Sequence, residues 1–424
     1  MTEFRFLHAA DLHIDSPLRG LAADRDAPAE RIRAATRAAF TNLVNLALAE
    51  RVAFVVVAGD LIDGEWQDWR TGHFLLTEIA RLKEAGIRFY AIHGNHDAAN
   101  PVLGRLRLPD GAGMVLDAAQ PRTVRLPEHG VSIHGQSFPT RDVRANLARD
   151  YPKPEPGDFN IGVLHTAANG RDGHENYAPC TVDQLAKHGY HYWALGHIHA
   201  REELARDPCW IVFPGNTQGR HIRETGPKGA SLVTVRDGQV ASVAHRPLDD
   251  VRWAMLDIAL TPEQDEGAVL DAVRQGLGLA LDEAEGRLLA VRVTLRGPCA
   301  AHTALIRDPG KTRDTLHGEA VALAGDGIWL EDARLLTRPP ADAAPAGARS
   351  GAMGTLLGQI DAVRADALAP GLREYCAKLL NHARGLRDTL GEDHPAVAGA
   401  RGEMTPELLE RARQLLLARI AAED

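Results

Sequence analysis

The chain has 424 residues, 45% of them hydrophobic and 25% charged, with a formal net charge of −9. That length supplies cores for two or three domains, and the acidic total excludes a protein that coats nucleic acid by bulk electrostatics alone. Cys180, Cys209, Cys299 and Cys376 form no C-x-x-C pair and read as free thiols in a reducing compartment. The N-terminus is too short and too charged for a signal h-region, and no apolar run approaches membrane length, so a cytoplasmic protein is expected.

The chain opens on a predicted strand, Phe4–Ala10, followed by a helical pattern over Ala29–Glu50 with Phe40, Leu43, Val44 and Ala47 on one side. Val52–Ala58 is a nearly unbroken β-branched run, as expected of a strand buried on both faces. A helix over Thr71–Ala85 and a strand at Ile87–Ile92 follow, then strands at Val131–Gly135, Ile161–Leu164, Tyr192–Leu195, Ile211–Phe213 and Ser231–Val235. This order predicts a layered α/β domain with a sheet core over 1–250. A small α/β domain is expected over 251–338, with strands at Trp253–Leu260, Arg287–Leu295 and Gly327–Leu336. Its first helix would start at Thr261-Pro262-Glu263, with Thr261 as N-cap. Residues 339–352 read as a Pro/Ala/Gly linker, and 353–424 as a helical C-terminal region that either packs on the body or docks a partner.

Five short blocks carry chemistry: Asp11-Leu12-His13, Gly59-Asp60-Leu61-Ile62-Asp63, Gly94-Asn95-His96-Asp97, His165 and Gly196-His197-Ile198-His199. Each directly follows a predicted strand, and ligands of open α/β sheets gather at the carboxyl ends of strands. Asp11 and His13 stand two apart, as do His197 and His199, so in extended chain each pair faces one side. Gly59, Gly94 and Gly196 lie where strand gives way to loop and backbones approach closely.

Asp11, His13, Asp60, Asn95, His165, His197 and His199 form a mixed oxygen and imidazole set without thiolate. That chemistry suits Mn²⁺, Fe or Zn²⁺ in a reactive site. Seven ligands exceed what one ion needs, so two divalent ions sharing the Asp60 carboxylate are expected. Such a pair lowers the pKa of a bound water and presents hydroxide to phosphorus. His96 would act on the phosphoryl or leaving oxygen, with Asp97 orienting its other ring nitrogen. Asp63 is left open between a supporting group and a turn residue. His8, His73, His129 and His188 read as ordinary core or surface histidines, while His134 and His174 stay open.

The blocks together resemble the calcineurin-like metallophosphoesterase superfamily over roughly residues 1–245: D-x-H, G-D-x-x-D, G-N-H-D, H and G-H-x-H occur without gaps. The resemblance implies a layered β-sandwich core with flanking helices, a small α/β cap and a helical C-terminal region. It assigns one metal to Asp11, His13, Asp60 and His199, the other to Asp60, Asn95, His165 and His197, and makes His96 the catalytic histidine. His8–Leu18, HENYAPC (174–180), YWALGHIH (192–199) and FPGNTQGRHIRETGPKG (213–229) further resemble the YhaO-type and SbcD-type bacterial DNA repair exonuclease group. That implies a Mn²⁺-dependent DNA exonuclease or endonuclease subunit, an SbcC-like coiled-coil ATPase partner and room for a homodimer. Archaeal and eukaryotic relatives carry His where this chain has Asp63. Arg220 and Arg223, in the segment Arg220–Lys228, are candidates to hold the DNA backbone. A small-molecule or phosphoprotein phosphoesterase would use the same centre. Aromatic residues for base stacking are scarce, at 5% of the chain, with Trp66, Trp69 and Tyr177 near the motifs.

Overall fold

Five consecutive buried residues, Phe54–Ala58, form strand β2 in the computed structural model, which describes residues 3–16, 28–63, 69–100, 103, 107–168, 177–340, 365–382 and 395–401. Their side chains alternate between two cores because successive strand residues point to opposite faces. Phe54, Val56 and Ala58 join a core with Phe159, Ile161 and Val163 of another sheet, while Val55 and Val57 join Phe40, Leu43 and Ile79 from two helices. A run apolar on both faces therefore becomes a central strand.

One sheet runs in the order β12 (Gln239–Pro247), β11 (Gly229–Arg236), β1 (Glu3–Ala9), β2, β3 (Arg88–Ile92) and β4 (Gly113–Val115). The other runs β5 (Arg122–Leu126), β6 (Val131–Gly135), β7 (Phe159–His165), β8 (Tyr192–Gly196), β10 (Trp210–Phe213) and β9 (Glu202–Ala205). Helices α1 (Ala29–Glu50) and α2 (Trp69–Glu84) cover the first sheet, and α3 (Val182–Lys187) with surrounding loops covers the second. The layers are thus helix, sheet, sheet, helix. Neighbours β1, β2 and β3 are parallel, as are β6, β7 and β8. Their carboxyl ends therefore emerge together, carrying Asp11 and His13 after β1, Asp60 after β2, Asn95 after β3, His165 as the last residue of β7, and His197 after β8.

The described residues divide into two compact units with a boundary between Ala254 and Met255. The second carries a sheet in the order β13 (Val251–Ala259), β14 (Leu288–Pro298), β15 (Ile328–Arg338), with α4 (Glu266–Glu283), α5 (His302–Arg307) and α6 (Pro309–Ala324). The expected helix start at Thr261 is corrected here. Asp265 is the N-cap, accepting from the Ala268 N–H at 2.9 Å, while Thr261 N–H donates to the Gln264 side chain at 2.7 Å and so belongs to a preceding turn. Two further helices, α7 (Ala365–His382) and α8 (Pro395–Arg401), are described in the C-terminal region. The expected linker beyond residue 340 lies outside the described residues, as do Trp66 and His174. Among the described residues no helix is long and apolar enough to cross a membrane.

Phe54 is fully buried between the sheets, its ring stacked on Phe6 at 5.1 Å. Phe54→Ala is expected to cost about 3–5 kcal/mol, read as a lowered denaturation midpoint. A loss under about 1 kcal/mol would show that the inter-sheet core re-closes around the cavity.

Candidate metal centre

The loops after β1 and β2 run side by side. Asp11, His13 and Ile14 donate backbone N–H groups to the carbonyls of Gly59, Asp60 and Leu61, each at 3.0 Å, and Ile14 bridges Ile62. This pairing does not use extended chain. Asp11, His13 and Asp60 have φ of 52°, 43° and 53°, and His197 has φ of 102°. The expectation that a period-two extended chain aims Asp11 with His13, and His197 with His199, is corrected: left-handed backbone does the aiming. Such non-glycine conformations cost on the order of 1–3 kcal/mol each and cluster at functional sites. The glycines fit the close-approach reading. A Cβ on Gly94 would lie 2.3 Å from Asp60 Oδ1, and one on Gly196 would lie 1.9 Å from the Ala58 carbonyl oxygen.

Carboxylates knit the loops. Asp11 accepts from the His197 N–H at 3.0 and 3.1 Å, joining the two sheets. Asp97 accepts from the N–H groups of Leu61, Ile62 and Gly94, each at 3.0 Å. It is therefore a brace for the loops after β2 and β3. His96 is oriented instead by Asp63, whose Oδ1 lies 2.5 Å from its Nδ1. The proposed Asp97–His96 pairing is replaced by Asp63–His96. Two neighbours in a tight turn point apart, whereas Asp63 comes from the adjacent loop.

Three groups of donor atoms lie close enough for metal binding: Asp11, His13 and His199; His13, Asp60 and His96; and Asp11, Asp60 and His165. His165 Nδ1 faces the Ala58 carbonyl at 2.9 Å, so it carries the hydrogen and Nε2 carries a lone pair. That lone pair points at Asn95 Oδ1, 3.0 Å away, and lies 3.5 Å from Asp60 Oδ2. His199 Nδ1 faces Glu224 Oε1 at 2.6 Å, and His13 Nδ1 lies 3.6 Å from Asp63 Oδ1. Glu224 thus leaves a lone pair on His199 Nε2, which lies 3.1 Å from His13 Nε2. Where His165 Nε2 faces Asn95 Oδ1, acceptor against acceptor is repulsive unless a cation draws both inward. Adjacent ligands around an ion held at about 2.1 Å sit roughly 3 Å apart, which both approaches match. The donor set thus fits divalent cations. His197 stacks edge to face on His165 with ring centroids 5.2 Å apart and is outside the three groups of donor atoms.

The electrostatics agree. Burial and then the neighbouring Asp60 push the Asp11 carboxyl well above its ordinary value, and burial raises Asp60 too. Asp97 is raised to about 6, by burial first and Asp60 second. Burial lowers His165 to about 3 and holds His13 and His199 below their usual range, keeping the rings neutral and able to ligate. Burial alone would lower His96, but its hydrogen bond to Asp63 and the charges of Asp60 and Asp63 together outweigh that and raise it.

Arg220 enters this cluster. Its side chain is 17% exposed, and Nη1 donates to Asp63 Oδ2 and Ser16 Oγ, each at 3.3 Å. Arg223 is exposed. Lys228 donates to the His199 carbonyl at 3.1 Å, which ties it to the ligand loop. Among the remaining histidines, His8 and His134 are core residues. His8 is bonded to Tyr192 and Leu195, and His134 to Thr123 and Asn160. Sequence reasoning left Asp63 undecided and missed Glu224. The second Asp of the G-D-x-x-D block was a signal for the first. Glu224 had no local signal beyond an acid inside a basic segment.

Comparison with known proteins is consistent with this geometry. Residues 4–201 match the calcineurin-like phosphoesterase model, and residues 253–338 match the middle domain of metallophosphoesterase YhaO. The uncharacterized metallophosphoesterase YhaO of Bacillus subtilis is 35% identical over 300 residues, 70% of this chain and 72% of that protein. The DNA double-strand break repair protein Mre11 of Methanopyrus kandleri is 25% identical over 233 residues, 50% of this chain and 49% of that protein. The chain therefore spans about half the length of that relative. A solved dimetal phosphatase from Danio rerio aligns at 14% identity with a TM-score of 0.35, covering 55% of this chain and 93% of that one.

Asp60 is a buried carboxylate whose charge is unfavourable without cations. Asp60→Asn is expected to leave the metal-free chain at least as stable as the wild type and to lose most of the melting-temperature rise that Mn²⁺ produces in the wild type. Equal Mn²⁺ stabilisation of both chains would contradict a metal role for Asp60.

Proposed function

The chain belongs to the calcineurin-like metallophosphoesterase family, and on that premise we propose that it is a two-metal phosphodiesterase that cleaves DNA as the nuclease subunit of a repair complex. The observation that carries the metal chemistry is the convergence of ligand atoms flanking Asp60, His13 Nε2 with His199 Nε2 at 3.1 Å and His165 Nε2 with Asn95 Oδ1 at 3.0 Å. In this reading Asp11, His13, Asp60 and His199 hold one ion, and Asp60, Asn95, His165 and His197 hold the other. The oxygen and imidazole set without thiolate favours Mn²⁺. Bound there, the two divalent cations supply the charge that activates water at neutral pH and clamps the phosphate.

The chain's own groups do the rest. Asp63 takes the Nδ1 side of His96 and leaves Nε2 free to face the substrate, where it donates a proton to the leaving oxygen or a hydrogen bond to a phosphoryl oxygen. Arg220, whose side chain is 17% exposed beside Asp63 and Ser16, would lend positive charge to a bound phosphate. Arg223 supplies a second, solvent-screened cation nearby in sequence. Similarity to Mre11 supports DNA as the substrate. Residues 251–338 would cap the substrate. The helices within 353–424, where Tyr375 and Leu379 lie exposed one turn apart on α7, would dock an SbcC-like coiled-coil ATPase.

The purified chain with Mn²⁺ is expected to hydrolyse single- or double-stranded DNA and a generic phosphodiester faster than a phosphomonoester. His96→Ala should lower kcat by about 10²–10⁴-fold. Since the partner can be needed for DNA cleavage, the panel is run with and without it. Monoester turnover with no DNA cleavage in either setting would replace the nuclease reading with a small-molecule or phosphoprotein phosphatase.

A further inference from the structure

Outside the ligand set, one buried carboxylate touches a proposed metal ligand directly. Glu224 is 8% exposed, and its Oε1 accepts from His199 Nδ1 at 2.6 Å. Its Oε2 accepts from the Arg220 N–H at 2.7 Å and from Asn216 Nδ2 at 2.9 Å. Both oxygens are thus committed, and the carboxylate is held from two sides. The segment that carries it is itself anchored. Gln218 donates to the Val251 carbonyl at 2.7 Å and accepts from the Asp250 N–H at 2.8 Å. The same segment grips the backbone of His199, whose carbonyl accepts from Lys228 Nζ at 3.1 Å and from the Asn216 N–H at 3.3 Å.

We infer that Glu224 is a positioning residue for the metal centre, fixing His199 as the Nδ1–H tautomer and holding its Nε2 lone pair toward the cation. This rests on the two-metal reading above. The two sides of the centre differ in this respect. His165 is held by a neutral carbonyl, that of Ala58, whereas His199 is held by a carboxylate, which makes its imidazole the more basic ligand. Glu224 therefore strengthens the ion held by His199 and leaves the one held by His165 alone.

The test is Mn²⁺ titration by calorimetry of the full chain, wild type beside Glu224→Ala and Glu224→Gln. The wild type is expected to take two ions. Glu224→Ala should weaken one of them by about 10–100-fold and leave the other unchanged, with Glu224→Gln between the two because its amide oxygen still accepts from Nδ1. Two ions at wild-type affinity in a folded Glu224→Ala chain would overturn the inference alone. A wild type that binds no Mn²⁺ would overturn the two-metal reading and the inference with it. Should the variants fail to fold, ¹⁵N spectra of the metal-free wild type decide: His199 as the Nδ1–H tautomer supports the inference, and the Nε2–H tautomer contradicts it.

Discussion

The site turns on one constraint: buried carboxylates are held together where the loops of two sheets meet. Asp60 and Asp11 are each almost fully buried, and the Asp60 charge raises the carboxyls of Asp11 and Asp97. Water would ordinarily solvate such charges, and burying them unpaired is costly. The fold keeps them there because their oxygens also take backbone N–H groups. Asp11 ties His197 to the first sheet, Asp60 takes the His96 N–H at 2.9 Å, and Asp97 laces the loops after β2 and β3. The groups that need cations are the same ones that fasten the two layers.

That dual use accounts for the backbone. Four of the seven proposed ligands, Asp11, His13, Asp60 and His197, adopt positive φ. The cost is offset by the paired loops and by the inter-sheet core beneath them, with Phe6, Phe54 and Tyr192 packed ring against ring. A rigid platform lets short loops hold several imidazoles with lone pairs facing inward. In two of the rings the nitrogen that does not face the centre is fixed, by the Ala58 carbonyl for His165 and by Glu224 for His199.

Much of this was legible in the sequence. The β-branched run ending in Ala58 marked a strand buried on both faces, and the five polar blocks stood directly after strands, where residues distant in sequence converge. What was not legible depended on local backbone or on contacts across the fold. The pairing of His96 with Asp63 rather than its neighbour Asp97 follows from the turn after β3, which spends Asp97 on backbone N–H groups. Left-handed dihedrals at Asp11 and His13 leave no periodic trace in side-chain pattern. Glu224 lies 25 residues from His199 and meets it only through the fold. At Thr261-Pro262 the start signal was real turn chemistry, but the Asp265 cap one turn later opened the helix.

The central claim is that Asp60 joins two ions. Anomalous diffraction from crystals of the full chain grown with Mn²⁺ tests it most directly. Two manganese peaks roughly 3.5–4 Å apart, with the Asp60 carboxylate between them, His13 and His199 on one, and His165 and Asn95 on the other, is the predicted result. A single peak, or two peaks that do not share Asp60, would contradict the account.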